Sequence, residues 1–142
     1  LGPNAHNCSL FGLSLLTFEV EEYHKQLVEH SFDDAWVRSE LSAVREQCRD
    51  LVGGMDDDRA VVAEEIVFAA DLAEFALDLI PLHRGAANGA ATQDEESRAR
   101  LEARAAELES VHRRQWLRRF RPGGLDYSST FLWKALRENA AD

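Results

Sequence analysis

The chain has 142 residues, of which 45% are hydrophobic and 30% charged, and its 26 acidic against 16 basic side chains give a formal net charge of -10. This length and composition suit one globular domain that buries enough surface to fold without a disulfide or a metal. The acidic balance argues against general affinity for nucleic-acid backbones or anionic membranes, and no apolar run reaches the length of a transmembrane helix.

The chain is predicted to be helical, because only Pro3, Pro81 and Pro122 interrupt long stretches rich in Ala, Leu, Glu and Arg. Apolar residues recur at intervals of three and four across residues 9–30, which predicts a first helix there. Since apolar side chains occupy much of its circumference, we expect this helix to be central and contacted from several sides.

A second helix is predicted at about residues 35–52, with Asp33 or Asp34 as its N-terminal cap. Gly53-Gly54 is expected to end it, because glycine adopts the left-handed conformation after a helix at no steric cost. Its predicted buried side chains are Val37, Leu41, Val44, Cys48 and Leu51.

A third helix is predicted at about residues 59–80. The aspartates at 56–58 precede it and are expected to cap it, since they lack the spacing of a calcium-binding loop. Pro81 need not end this helix, but the small-residue segment 85–93 predicts a surface loop. One apolar line along it consists of Val62, Ile66, Ala69, Ala73, Ala76 and Ile80.

A fourth helix is predicted from about Thr92, which can form a capping box with Glu95, to about Phe120. Its thin apolar line consists of Leu101, Ala105, Leu108, Val111, Trp116 and Phe120. A fifth, short helix is predicted at about residues 127–139, with Asp126 as its cap and Phe131, Leu132, Ala135 and Leu136 facing inward. The predicted fold is therefore all-α: a single domain over residues 1–142, built as an antiparallel bundle of four long helices plus a short C-terminal helix.

The two cysteines, Cys8 and Cys48, are far apart and are expected to be buried free thiols. The N-terminus has no signal-peptide pattern, which leaves the compartment open but favours the cytoplasm. The chain also lacks an initiating methionine, so we expect it to be a piece of a longer protein.

Two Glu-x-x-His pairs, Glu21/His24 and Glu109/His112, resemble half of the ligand set of a ferritin-like di-metal bundle. Such pairs are expected on alternate helices, whereas these fall on the first and fourth. Glu109 is also placed to pair with Arg113 one helical turn later. No phosphate loop and no Ser-His-Asp or Cys-His arrangement can be assembled, so no catalytic, cofactor-binding or metal-binding residue is predicted, and no cofactor.

Five arginines cluster between positions 113 and 121 around two aromatic residues. Helical spacing places Arg114, Arg118 and Arg121 on one face, and Trp116 and Phe120 on another. A surface for single-stranded nucleic acid would display both kinds of side chain together. The spacing instead predicts a buried aromatic stripe beside a solvated arginine face paired with acidic residues, without a nucleic-acid partner.

The segment from His112 to Leu136 resembles the one that closes the C-terminal helical region of bacterial β-N-acetylhexosaminidase-like glycoside hydrolases of the family 20 type. That pattern is Glu-x-x-x-x-Trp-Leu-x-Arg-Asn-Arg-Pro-Gly-Gly-Leu-x-x-Ser, and Phe120 stands here where the pattern has Asn. The matching residues are Trp116, Leu117, Arg119, Arg121, Pro122, Gly123, Gly124, Leu125 and Ser128.

The resemblance implies a parent enzyme that cleaves terminal N-acetylhexosamine with an adjacent Asp-Glu pair in a TIM barrel upstream of Leu1. This chain would then be a non-catalytic C-terminal accessory domain packed on that barrel. It matches no barrel motif, so no catalytic residue is carried over. The alternatives are a stand-alone helical binding or regulatory module that dimerises and, third, the di-metal bundle. The sugar, the linkage and the oligomeric state are not determined by the sequence.

Overall fold

The computed structural model describes residues 33–52, 57–87 and 95–137, and this part of the chain forms four helices without a strand. They are α1 (Asp34–Val52), α2 (Asp57–Ala87), α3 (Glu95–Arg119) and α4 (Leu125–Arg137). The predicted all-α class is confirmed. The first predicted helix, at 9–30, and the Thr92 end of the predicted capping box lie outside the described residues.

The helices pack antiparallel in chain order, as cross-helix ion pairs and hydrogen bonds show. Between α1 and α2, Arg38 contacts Asp78 at 2.8 Å whereas Arg45, seven residues later, contacts Asp71 at 2.9 Å. The ion pairs between α2 and α3, and the hydrogen bonds between α3 and α4, show the same antiparallel order. In each case a later residue of one helix contacts an earlier residue of the next. The predicted antiparallel arrangement therefore holds for the described helices, none of which combines the length and apolar character that crossing a bilayer requires.

The core lies where α2, α3 and α4 meet. Phe75, Leu79 and Leu108 are its largest fully buried side chains. Residues spaced by three and four on each helix supply the cluster, as expected for amphipathic helices that bury one face. Its buried members are Phe68, Leu72, Phe75, Leu79, Leu101, Ala105, Leu108, Leu132 and Leu136.

α1 packs on another face of α2 and brings a buried free thiol, Cys48, to that side. This thiol agrees with the predicted burial of Cys48, and Cys8 lies outside the described residues. Asp33 caps the helix as predicted: its Oδ1 accepts a hydrogen bond of 2.9 Å from the Trp36 backbone N–H. The cap satisfies one of the amide donors that the first helical turn leaves without a helical partner.

The α2 helix is longer than the sequence-based prediction. The helix runs through Pro81 to Ala87, beyond the predicted end at residue 80 and into the segment 85–93 that was predicted to be a surface loop. Pro81 is exposed, so its ring meets water rather than a neighbouring helix. The neighbouring apolar residues Leu79 and Ile80 are buried on the inner faces of α2 and hold this region of the helix in place.

The predicted burial of Val44, Val62 and Ile66 is wrong: all three are exposed. At about 100° per residue, Val62 and Ile66 lie about 120–160° around α2 from Phe68, which faces the core. They therefore belong to the part of α2 turned away from α3. Ala76 and Ile80, on the same predicted line, are buried as expected.

Candidate functional site

The corner between α3 and α4 is built by the residues that carried the family resemblance. Phe120 N–H donates to the Trp116 carbonyl at 2.7 Å at the end of α3, and Trp116 Nε1 donates to the Arg121 carbonyl at 2.9 Å. Leu125 N–H donates to the Pro122 carbonyl at 3.1 Å, which closes a β-turn. The indole therefore holds the start of the turn against the end of α3.

Gly124 is the third residue of this turn and has φ = +85°. Positive φ at that position is the mark of a type II turn, which strongly prefers glycine. Its carbonyl accepts a hydrogen bond of 2.9 Å from Ser128 N–H, and this is the first helical hydrogen bond of α4. Gly124 therefore occupies the N-terminal cap position of α4.

We expect Gly124→Ala to destabilise the protein by about 1–2 kcal/mol, because an L-residue is strained at positive φ. Space is not the cause, since an added Cβ would lie 3.7 Å from Trp116 Cζ2, an ordinary contact. Thermal and urea unfolding measure the loss.

The adjacent Gly123→Ala is the matched control. An added Cβ at Gly123 meets nothing within 4 Å, and Gly124 alone among the described glycines has positive φ. We expect this variant to unfold at the same or a slightly higher temperature, because alanine reduces the freedom of the unfolded chain. Equal losses at the two glycines would contradict the assigned turn.

Two predictions for this region are wrong. Phe120 is 59% exposed rather than buried, because α3 ends at Arg119 and the following residue leaves the helical face. It still lies against Trp116, with ring centroids 5.1 Å apart. Asp126 is not the cap of α4, since the helix begins at Leu125; its carboxylate instead accepts a hydrogen bond from Arg113 Nη1 at 2.9 Å.

Most of the clustered arginines have carboxylate partners, as predicted. Arg113 bonds Glu109 at 2.8 Å in addition to Asp126, and Arg118 and Arg119 form ion pairs with Glu64 and Glu65 of α2. Arg114 differs, because its hydrogen bond goes to the hydroxyl of Ser110 at 2.8 Å. The ion pairs of Arg118 and Arg119 tie the end of α3 to the first part of α2.

His112 is the most distinctive polar group near the corner. Its Nε2 shares a hydrogen bond of 2.9 Å with Ser128 Oγ of α4. Its ring stacks on Phe68, with centroids 6.1 Å apart, and meets the edge of Trp116 at 5.6 Å. One side chain thereby joins α2, α3 and α4.

The pKa of His112 is lowered from its ordinary value of 6.5, first because burial disfavours the charged ring and second because Arg113 is positive; the charge of Glu109 opposes this shift. The folded protein therefore favours neutral His112 more than the unfolded chain does. As pH falls below about 6.5, the unfolded chain takes up this proton first, and the stability that neutral His112 provides is lost.

We expect the wild-type protein to lose stability between pH 7.5 and pH 5.5 more steeply than His112→Gln. For one proton the difference in slope cannot exceed about 1.4 kcal/mol per pH unit. Urea titrations at several pH values measure it. Parallel profiles for the two proteins would show that His112 does not titrate differently on folding.

The Glu109/His112 pair is engaged in contacts that hold the bundle. Glu109 accepts hydrogen bonds from Trp133 Nε1 at 2.7 Å and from Arg113 Nε at 2.8 Å, and these bonds, Trp133 first, lower its pKa. No group of three or more potential metal-ligating side chains occurs within the described ranges. The other pair, Glu21/His24, lies outside them. Metal analysis of the purified protein tests the di-metal hypothesis directly, since a protein without bound iron or manganese excludes it.

The arrangement at His112 has one element of a catalytic dyad, the hydroxyl–imidazole hydrogen bond. A catalytic base also needs a third group that orients it, and the Glu109 carboxylate is bonded to Trp133 and Arg113 instead. The geometry therefore supports a structural role. Sequence reasoning missed the His112–Ser128 contact, because no local spacing links residues sixteen apart on different helices.

Comparison of the chain with protein-family models, with curated proteins and with solved structures finds no match.

Proposed function

We propose that this chain is a non-catalytic, helical C-terminal accessory domain of a bacterial glycoside hydrolase that acts on terminal N-acetylhexosamine. The observation that carries the proposal is that the residues shared with the family 20-type segment build a single structural unit. Trp116 bonds across the corner, Gly124 forms the turn, Leu125 is buried and Ser128 bonds His112. That the residues of the shared pattern act together in one structural unit of this chain supports the proposal that the resemblance reflects common descent.

The corner also offers a surface for a larger neighbour. Leu117, Phe120 and Tyr127 are exposed apolar or aromatic side chains near the end of α3 and the start of α4. Aromatic side chains are enriched in protein interfaces. Packing of this surface on an upstream barrel would bury it, and this is the partner that the family resemblance implies.

The proposal is tested by two observations. The isolated chain is expected to give no turnover of p-nitrophenyl N-acetyl-β-glucosaminide, and hydrolysis by the pure protein would contradict a non-catalytic role. The coding sequence upstream of Leu1 is expected to encode a TIM barrel with an adjacent Asp-Glu pair. An upstream sequence without such a barrel would exclude the glycoside hydrolase parent.

The same exposed side chains favour a second candidate, a stand-alone helical module that dimerises. Light scattering distinguishes the two, since this candidate requires a dimer whose dissociation constant rises in Phe120→Ser. A protein that stays monomeric at high concentration would exclude it. Val62→Ser is a suitable control, because Val62 is an exposed apolar residue on α2, outside the corner.

A further inference from the structure

A cleft of about 670 Å³ opens between α1 and α3, with α2 as its base. Both helices flank this face of α2, since Asp71 of α2 pairs with Arg45 of α1 at 2.9 Å and with Arg104 of α3 at 3.4 Å. Val67 and Phe68 of α2 and Val111 of α3 line the cleft with apolar surface. A site with this lining can remove the apolar part of a small molecule from water.

The charged groups that line the cleft do not balance one another. Its two carboxylates are already engaged: Glu64 pairs with Arg118, and Asp71 pairs with Arg45 and Arg104. Two guanidinium groups are left without a carboxylate. Arg49 has no hydrogen bond or ion pair within the described chain, and Arg114 bonds only the neutral hydroxyl of Ser110.

These two arginines come from opposite walls. Arg49 lies on α1 and Arg114 on α3, and both line the same cleft. Within the described residues these two arginines share a cleft without a carboxylate partner, so both guanidinium groups can bind an anion there. Guanidinium groups bind carboxylates and phosphates through paired, charge-assisted hydrogen bonds.

We propose that this cleft binds a small organic anion, with its carboxylate or phosphate held by Arg49 and Arg114 and its apolar body lying on Val67, Phe68 and Val111. The net charge of -10 disfavours a nucleic-acid ligand, because a polyanion would be repelled by the rest of the surface. A compact anion with one charged end meets the two arginines without this repulsion. The assignment is independent of the proposed glycoside hydrolase parent.

In a second cleft, of about 360 Å³, most of the arginines are paired with carboxylates. It contains Arg38, Arg100 and Arg104. Arg38 pairs with Asp34 and Asp78, Arg104 with Asp71 and Glu107, and Arg100 bonds Ser97. Within the part of the chain that the structure describes, only Arg100 of these three lacks a carboxylate partner, so the larger cleft is the better anion site.

The test uses phenyl phosphate as the probe, titrated into the intact chain to millimolar concentration and followed by calorimetry and by protein NMR. We expect saturable binding that weakens as salt is added. Phenol, which has no charge, and inorganic phosphate, which has no apolar body, should each bind at least about tenfold more weakly. Absence of binding by the wild-type chain, or equal binding of inorganic phosphate, would overturn the proposal.

Arg49→Gln and Arg114→Gln should each weaken phenyl phosphate binding about tenfold, the effect expected from losing one charge-assisted contact. Neither residue has a carboxylate partner among the described residues, so both variants should keep the wild-type circular dichroism and melting temperature. Arg121→Gln is the matched control, because Arg121 lies in the exposed corner outside the cleft. Equal affinity of the two cleft variants and the wild-type protein would assign the binding elsewhere.

Discussion

Leu108→Ala is expected to lower the free energy of unfolding by about 3–4 kcal/mol. Leu108 is 1% exposed and belongs to the cluster formed by α2, α3 and α4. The truncation removes three buried carbons and leaves a cavity that the surrounding helices can fill only in part. A domain of this size has a free energy of unfolding of about 5–15 kcal/mol, so this one substitution removes a large fraction of its stability.

Leu117→Ala is the control for this prediction. It makes the same chemical change on the same helix, but Leu117 is 54% exposed. We expect a loss within about 0.5 kcal/mol, because the leucine side chain at this position is already largely hydrated. Urea unfolding followed by circular dichroism gives both values, and similar losses at the two positions would contradict the assigned core.

The buried face of α3 could be predicted from the sequence, because its apolar residues recur at intervals of three and four. Leu101, Ala105 and Leu108 follow the helical repeat, and all three are buried. The cap at Asp33 and the Glu109–Arg113 pair were predicted in the same way, since each depends on residues three or four apart. Local spacing is sufficient where a contact is made within one helix.

The wrong predictions share a cause: each required knowledge of where a helix ends or which face has a neighbour. Phe120 continues the apolar spacing of α3, but the helix ends one residue earlier and the ring turns to solvent. Val62 and Ile66 continue the apolar line of α2, but α3 and α4 pack on a different face. The spacing of apolar residues predicts which side chains share a helical face, but it does not predict which neighbouring element covers that face.

The candidate site likewise has a part that local sequence predicts and a part that depends on contacts between helices. The sequence pattern from Trp116 to Ser128 indicated the corner between α3 and α4. The turn itself was predictable from Pro122-Gly123-Gly124, because proline and glycine favour tight turns. The His112–Ser128 bond and the cleft with Arg49 could not be predicted, because they join different helices. Arg114 was assigned to a solvated arginine face, and only the packing of α1 and α3 on α2 brings it into the same cleft as Arg49.

Arg45→Met is expected to destabilise the protein by about 2–3 kcal/mol, the second large effect. The Arg45 side chain is only 11% exposed and connects α1 to α2. Its Nη2 donates to Glu74 and to the Ala70 carbonyl at 3.4 Å. Its Nε lies 2.9 Å from Asp71 Oδ1, within ion-pair distance, although the N–H makes no hydrogen bond.

The expected loss comes mainly from the two carboxylates that lose their nearest cation. Methionine keeps most of the apolar stem but leaves Asp71 and Glu74 in a half-buried environment without their shared cation. Arg104 still reaches Asp71 at 3.4 Å and Arg38 still reaches Glu74 at 3.7 Å, so the loss should stay below that of a fully buried pair. The exposed pair Arg98–Glu102 provides the control, and Arg98→Met should cost about 0.5 kcal/mol or less.

A double variant separates the stranded charge from lost packing. If repulsion and desolvation at Glu74 dominate, Arg45→Met combined with Glu74→Gln should be more stable than Arg45→Met alone, because a partly buried carboxylate that has lost its nearer cation is removed. If the lost stem contacts dominate, the two losses should add. Unfolding free energies of the four proteins in this cycle distinguish the cases. The first outcome would mean that α1 is held on α2 by matched charge as well as by apolar burial, in agreement with the exposure of Val44 on that helix.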